Sequence, residues 1–281
     1  MSHFWRKLMR DPLAIISLGI IFFVIILGIF APWIAPNDPL TPHLSEKFAS
    51  WSQAYPLGSD HLGRCIASRV LFGIRTTLFL ALVAMAITIS LGTLLGLIAG
   101  FFRKAEESMM RLCDVMLSFP SELMILAVVG MLGAGIEHVI MANVIAKVAW
   151  YTRMVHSFVV VHREKNYLLF SRVAGVSSWT MLRKHIFPSI CADVALLATL
   201  DTGWVILSIS ALSFLGLGVQ APTPEWGMML SEAKNVMSIH PLQMIPSGVA
   251  ILIVVAAFNF LGDSIRDALD PKHCIVPKSM V

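Results

Sequence analysis

The chain has 281 residues, 57% of them hydrophobic and only 14% charged, with a mean hydropathy of +0.79, so its apolar content exceeds what one soluble core encloses. The net charge of +4 comes from sparse Lys and Arg without an aromatic-basic stripe, which excludes a nucleic-acid groove; Cys65, Cys113, Cys191 and Cys274 form no CxxC pair, which argues against a disulfide framework or a zinc site. Long continuous apolar runs, rather than the short alternating segments of a β-barrel, define an all-α integral membrane protein.

The first predicted span runs from about Leu13 to Ala31, between "RKLMRD" and the Pro-rich "APWIAPNDP". No small-residue cleavage site follows it, and it is longer than a signal-peptide core, so it is expected to stay as an anchor. A Pro-rich piece, Pro32 to Pro56, precedes "LGSDHLGRCIASRVLFGIRTTL", where Ile66, Val70, Leu71 and Ile74 recur at helical spacing and predict an amphipathic helix feeding the second span, between Arg75 and Arg103. The third span is expected from about Val115 to Leu132, carrying Pro120; the fourth from His138 to Val155; the fifth from Ile190 to Val219; and the sixth from Leu242 to Leu261. Six spans put both termini on one side. With the amino terminus inside, the inner segments hold 15 of the 21 Lys and Arg residues, which makes both termini cytoplasmic. The expected organisation is an amino-terminal part, residues 1–75, and a transmembrane core, residues 76–281, with a cytoplasmic loop at 157–188.

Within that loop lies "NYLLFSRVAGVSSWTMLRKHIFPS". Tyr167 to Ala174 is predicted to form a short helix, Gly175 a break, and Ser177 or Ser178 the cap of a second helix that places Trp179, Leu182 and Ile186 on one face and ends at Pro188. An apolar surface on the wet side of a membrane either folds back on its own helix ends or is covered by another protein.

The loop resembles the signature loop of ATP-binding-cassette importer permeases, in which a Glu-Ala-Ala triplet, a Gly and a Pro mark a helix that docks on an ATPase subunit. By spacing, the triplet falls on Leu169, Phe170 and Ser171, the Gly on Gly175 and the Pro on Pro188, so the acidic residue and both alanines are replaced. "LGSDHLGRCIASRVLFGIRTTL" is similar to the segment before the second span in the second permease subunit of dipeptide, oligopeptide and nickel importers, with Cys65 where that family commonly has Asp. "LSFLGLGVQAPTPEWGMML" resembles its Gly-rich exit from the fifth span, and "FNFLGDSIRDALDPK" its carboxy-terminal signature, matched at Asn259, Gly262, Asp263, Arg266, Asp267, Asp270 and Pro271. The resemblance implies a type I importer permease fold in the bacterial cytoplasmic (inner) membrane. It also implies a related permease as heterodimer partner, two ATPase subunits that bind ATP and Mg, an extracellular substrate-binding protein, and no cofactor in this chain. "KVAWYTRMVHS" and "LLATLDTGW" look closer to the nickel-importer permease, which makes nickel, free or chelated, the expected cargo, with peptides or another metal–metallophore complex as alternatives.

Charges inside spans usually face protein or a water-filled path. Asp201, mid-way along the fifth span, and Lys147, in the fourth, either line the route of a charged substrate or brace adjacent helices. No His pair has the i, i+4 spacing of a helical metal site, so no metal ligands are expected. No GxxxxGK[ST] loop, GxSxG elbow or HExxH pair is present, so the chain is expected to be a non-enzymatic subunit fuelled by a partner. The rival readings are an ion-gradient-driven secondary transporter, which predicts inverted repeats, and a membrane enzyme using Asp201 or a His as acid or base.

Overall fold

The structure is a computed structural model that describes residues 2–269; Asp270 and Pro271 of the carboxy-terminal signature lie outside the described residues. The helices in chain order are α1 (Ser2–Leu8), α2 (Pro12–Ile34), α3 (Ile66–Ile74), α4 (Leu80–Phe101), α5 (Arg103–Leu117), α6 (Ser121–Leu132), α7 (Ile136–Arg163), α8 (Asn166–Val173), α9 (Ser178–Met181), α10 (Phe187–Phe214), α11 (Trp226–Lys234) and α12 (Ile245–Leu269). Among the described residues the β pairing is limited to an isolated bridge, Ser59 to Cys65.

Among the described residues five helical runs are long and apolar enough to cross a bilayer: Pro12–Ile34, Ile66–Phe101, Ile136–Arg163, Ser178–Phe214 and Pro241–Leu269. The expected third span is instead a bent pair: α5 and α6 meet at 83°, and only if they count as one does the number reach six. Pro120 is the cause. It sits at the N-cap of α6 with ψ 133°, where its ring and missing N–H stop α5 from continuing. The first span is longer than expected: Asp11 accepts a hydrogen bond from Leu13 N at its N-cap, Pro12 starts the helix, and the helix passes through Pro32 to Ile34. A proline in the last turn leaves only one carbonyl unanswered, which a helix end tolerates. The amphipathic helix and second span are one rod, α3 joined to α4 through a π turn at Arg75–Phe79.

The chain divides into two compact units. One gathers the described residues up to Ala81, Ala134–Ile136 and those from Thr199 onward; in it α2 lies against α3 and α12, and Gly28 faces Ile74 and Phe79. The other comprises Leu82–Gly133 and Glu137–Ala198. Its central contact is a stripe, Gly92, Gly96 and Gly100 of α4, laid on Tyr151, Val155 and Val159 of α7. A Cβ on Gly96 or Gly100 would stand 2.6 Å from the Cβ of Val155 or Val159, so only glycine allows this approach. Four-residue spacing on both helices keeps the stripes facing one another.

Candidate functional site

The loop after α7 is built from local signals. Helix α8 ends at Gly175, whose φ of +77° is open to glycine and strained for other residues; Gly175 N donates to Arg172 O at 3.1 Å and Val176 N to Ser171 O at 3.0 Å, the paired bonds that close a helix on a left-handed residue. Ser177 then caps α9, its Oγ accepting from Thr180 N at 3.3 Å. A π turn at Leu182–Ile186 follows, and the chain runs directly into α10.

Two expectations are corrected here. Pro188 does not end the second helix, because it falls in the first turn of α10, just after the π turn, and the run Ser178–Phe214 is continuous. Trp179 does not share a face with Leu182 and Ile186: it is 66% exposed, while Met181, Leu182 and Ile186 are buried. Leu182 and Ile186 remain buried together across the π turn, whereas in α9, ahead of it, Met181 rather than Trp179 takes the inward place.

The loop has two faces. Leu168, Met181, Leu182 and Ile186 join Phe101, Val155, Val159, Ile190 and Val194 in one buried cluster, which fixes the hairpin to the ends of its own helices. On the other face of α8 Leu169, Phe170 and Val173 are 46%, 75% and 87% exposed, and on α9 Trp179 is exposed as well. Ser171 is turned to its own helix, donating to Tyr167 O at 2.8 Å. Lys165, Arg172, Arg183 and Lys184 are exposed along the same stretch, and no carboxylate occurs from residue 165 to 192. Nearby, Glu106 of α5 holds the end of α7 through His156 Nε2 at 3.1 Å and Arg163 Nη1 at 3.0 Å.

A second constellation, which the sequence reading missed, lies in the other unit. Arg64 Nε binds Asp60 Oδ2 at 2.7 Å and its Nη2 reaches both Glu232 oxygens at 3.0 Å; Arg69 Nη2 binds Glu232 Oε2 at 2.6 Å. Both guanidiniums are 1% exposed, so two cations and two anions are buried together between the Ser59–Cys65 turn, α3 and α11. Beside α11, Glu225 is fully buried as the N-cap: Oε2 accepts from Met228 N at 2.8 Å, and Oε1 from Thr77 Oγ1 at 2.9 Å and Ser210 Oγ at 3.2 Å. Burial pushes its carboxyl above the ordinary carboxylate range; the backbone N–H groups of Gly227 and Met228 and the hydroxyls of Thr77 and Ser213 pull the other way. Sequence clues existed in the four-residue spacing of Asp60 and Arg64 and in an acid directly ahead of the helix at Trp226.

The remaining predicted positions are placed as follows. Asp201 is half-buried on α10 and Lys147 half-buried on α7. On α12, Gly262 is buried against Leu200, and Asn259, Asp263, Arg266 and Asp267 are exposed; Lys7 Nζ donates to the backbone oxygen of Asp267. Gly216 has φ +78° and closes α10, with Leu217 N donating to Leu212 O at 2.9 Å. Among the described residues no group of three or more His, Cys, Asp or Glu is placed to hold a metal.

Multiple apolar spans and a two-faced helical hairpin between two of them define a multi-pass membrane protein. Comparison with known proteins gives the family: residues 92–273 match the binding-protein-dependent transport system inner membrane component, and residues 1–52 the N-terminal TM domain of oligopeptide transport permease C. The chain belongs to this family of importer permeases and is a multi-pass inner-membrane protein. It is 41% identical over 268 residues to the metal-staphylopine import system permease protein CntC of Staphylococcus aureus (95% of this chain, 93% of the relative). It is 36% identical over 272 residues to the glutathione transport system permease protein GsiD of Pectobacterium atrosepticum (96% and 90%) and 36% over 257 residues to the nickel transport system permease protein NikC of Escherichia coli (91% and 93%).

Proposed function

We propose that this chain is one of a pair of related permease subunits that form the path for nickel, free or held by a small organic chelator, in an ATP-driven importer. Both termini and the α8–α9 hairpin face the cytoplasm, and the hairpin seats in a groove of an ATPase subunit that binds ATP and Mg. A binding protein delivers the cargo from outside.

The observation that carries the coupling role is the exposed apolar face of Leu169, Phe170, Val173 and Trp179 on a hairpin whose other side is pinned by a buried cluster. A rigid knob of this kind transmits displacement to α10, with which α9 is continuous. Since Leu169 stands where the resemblance expects an acid, the seat depends on apolar contact, and the exposed Lys165, Arg172, Arg183 and Lys184 call for an acidic rim around it. The metal reading is supported by the relatives that import metal-staphylopine and nickel, and the glutathione relative keeps a peptide cargo as the alternative. Asp201 and Lys147 are assigned either to the path or to bracing of α10 and α7, and the exposed α12 carboxylates to pairing with partner loops.

A photo-crosslinker at Val173 in intact cells is expected to capture the ATPase subunit; capture of lipid alone would mean that the apolar face lies on the bilayer and would end the coupling assignment. Deleting the chain is expected to abolish uptake of labelled nickel supplied with a chelator, and loss of dipeptide uptake with nickel uptake intact would transfer the cargo to peptides.

A further inference from the structure

Beside the buried ion knot lies a small, partly open pocket, bordered by Asp60, His61, Arg69, Met229, Glu232, Ala233 and Gln243. A water-sized sphere has about 20 Å³ in which to sit, against roughly 10 to 15 Å³ for one water molecule. The space therefore suits one water-sized molecule and nothing larger. Arg69 borders it with an unused donor. Its Nη2 is bound to Glu232 at 2.6 Å and its Nε lies 3.8 Å from Asp60, but Nη1 is buried without a hydrogen-bond partner among the described residues. A buried guanidinium N–H demands an acceptor.

The charges choose the occupant. Arg64 and Arg69 balance Asp60 and Glu232, so the knot is formally neutral and favours neither an added cation nor an added anion. We propose that the cavity is the site of a single ordered water, which accepts from Arg69 Nη1 and has two protons for the carboxylate oxygens of the same cavity. The water completes the knot that joins the Ser59–Cys65 turn, α3 and α11.

Met229 reports on it. Radiolysis of an ordered water releases hydroxyl radical beside a fast-reacting thioether, whereas a dry buried methionine is shielded. In X-ray footprinting of the intact importer in nanodiscs, Met229, 7% exposed, is expected to oxidise several-fold faster than Met85 and Met181, which are 3% and 2% exposed and do not border the cavity. Equal rates for the three overturn the proposal, and this reading needs no variant. Ala233→Val, which fills the space, is expected to bring the Met229 rate down to that of the other two. If the excess survives in a folded Ala233→Val protein, the oxidant arrives by local opening to bulk water, and the ordered site is refuted.

Discussion

The α8–α9 hairpin and the Asp60–Arg69–Glu232 knot invert one another's chemistry. The hairpin turns Phe170 and Val173 outward and hides only one apolar side. The knot turns Arg64 and Arg69 inward, each 1% exposed, and matches them with carboxylates. An exposed apolar face gains free energy only when something covers it, so it belongs to a moving contact with a partner. A buried ion network gains nothing from a partner and is costly to disturb, so it belongs to the frame. Residue type alone would assign the two the other way round, with apolar residues inside and arginines in water.

The largest effect expected from this contrast is at Glu232. Replacing it with alanine leaves Arg64 and Arg69 with Asp60 as their one anion, and breaking a buried ion pair from one side typically costs about 3 to 5 kcal/mol. Glu232→Ala is expected to lower the melting temperature of the purified protein sharply and to deplete it from membranes. A stability near that of wild type would show that bulk solvent compensates Arg64 and Arg69 and that the knot is not part of the frame.

The hairpin was legible in the sequence because its parts are local: Gly175 and Ser177 set a turn and a cap within a few residues, whatever surrounds them. The spans were legible from continuous apolar runs except the third, which was read as one span from Val115 to Leu132 carrying Pro120, whereas the structure breaks the helix at that proline and bends it by 83°. The knot was not legible. Arg64 and Glu232 are 168 residues apart, and on a helical wheel Arg69 marks a wet face. The Trp179 face was misread because Met181, two residues on, takes the inward place in α9, a choice between neighbouring apolar residues that spacing alone leaves open.

Within the hairpin a matched pair of substitutions separates frame from contact. Leu168 is 3% exposed in the buried cluster, and Leu168→Ala is expected to cost about 2 to 5 kcal/mol. Phe170, two residues on and 75% exposed, is expected to accept aspartate within about 0.5 kcal/mol in the isolated subunit. In the assembled importer Phe170→Asp should nonetheless abolish substrate-stimulated ATP hydrolysis, because a charge enters an apolar seat. Unchanged stimulation would remove the face from the coupling interface. A large loss of subunit stability would place Phe170 in the frame.

Glu225 tests the frame through a single proton. Its folded-state affinity for that proton is raised by burial, so the folded chain keeps the proton to a higher pH than the unfolded chain does. Stability should then fall as pH rises from the ordinary carboxylate range toward the raised folded value, by at most about 1.4 kcal/mol per pH unit, and level off above it. Glu225→Gln cannot titrate, so its stability curve should lack this decline while keeping the slopes due to all other groups. Melting curves of both proteins between about pH 5 and about pH 8 are therefore expected to converge as pH rises or to cross, rather than run parallel. The hydrogen bond from Met228 N and the two hydroxyls on Oε1 pull toward the carboxylate. If they prevail over burial, wild type gains on the variant with rising pH, and Glu225 is a charged cap of α11 rather than a buried acid.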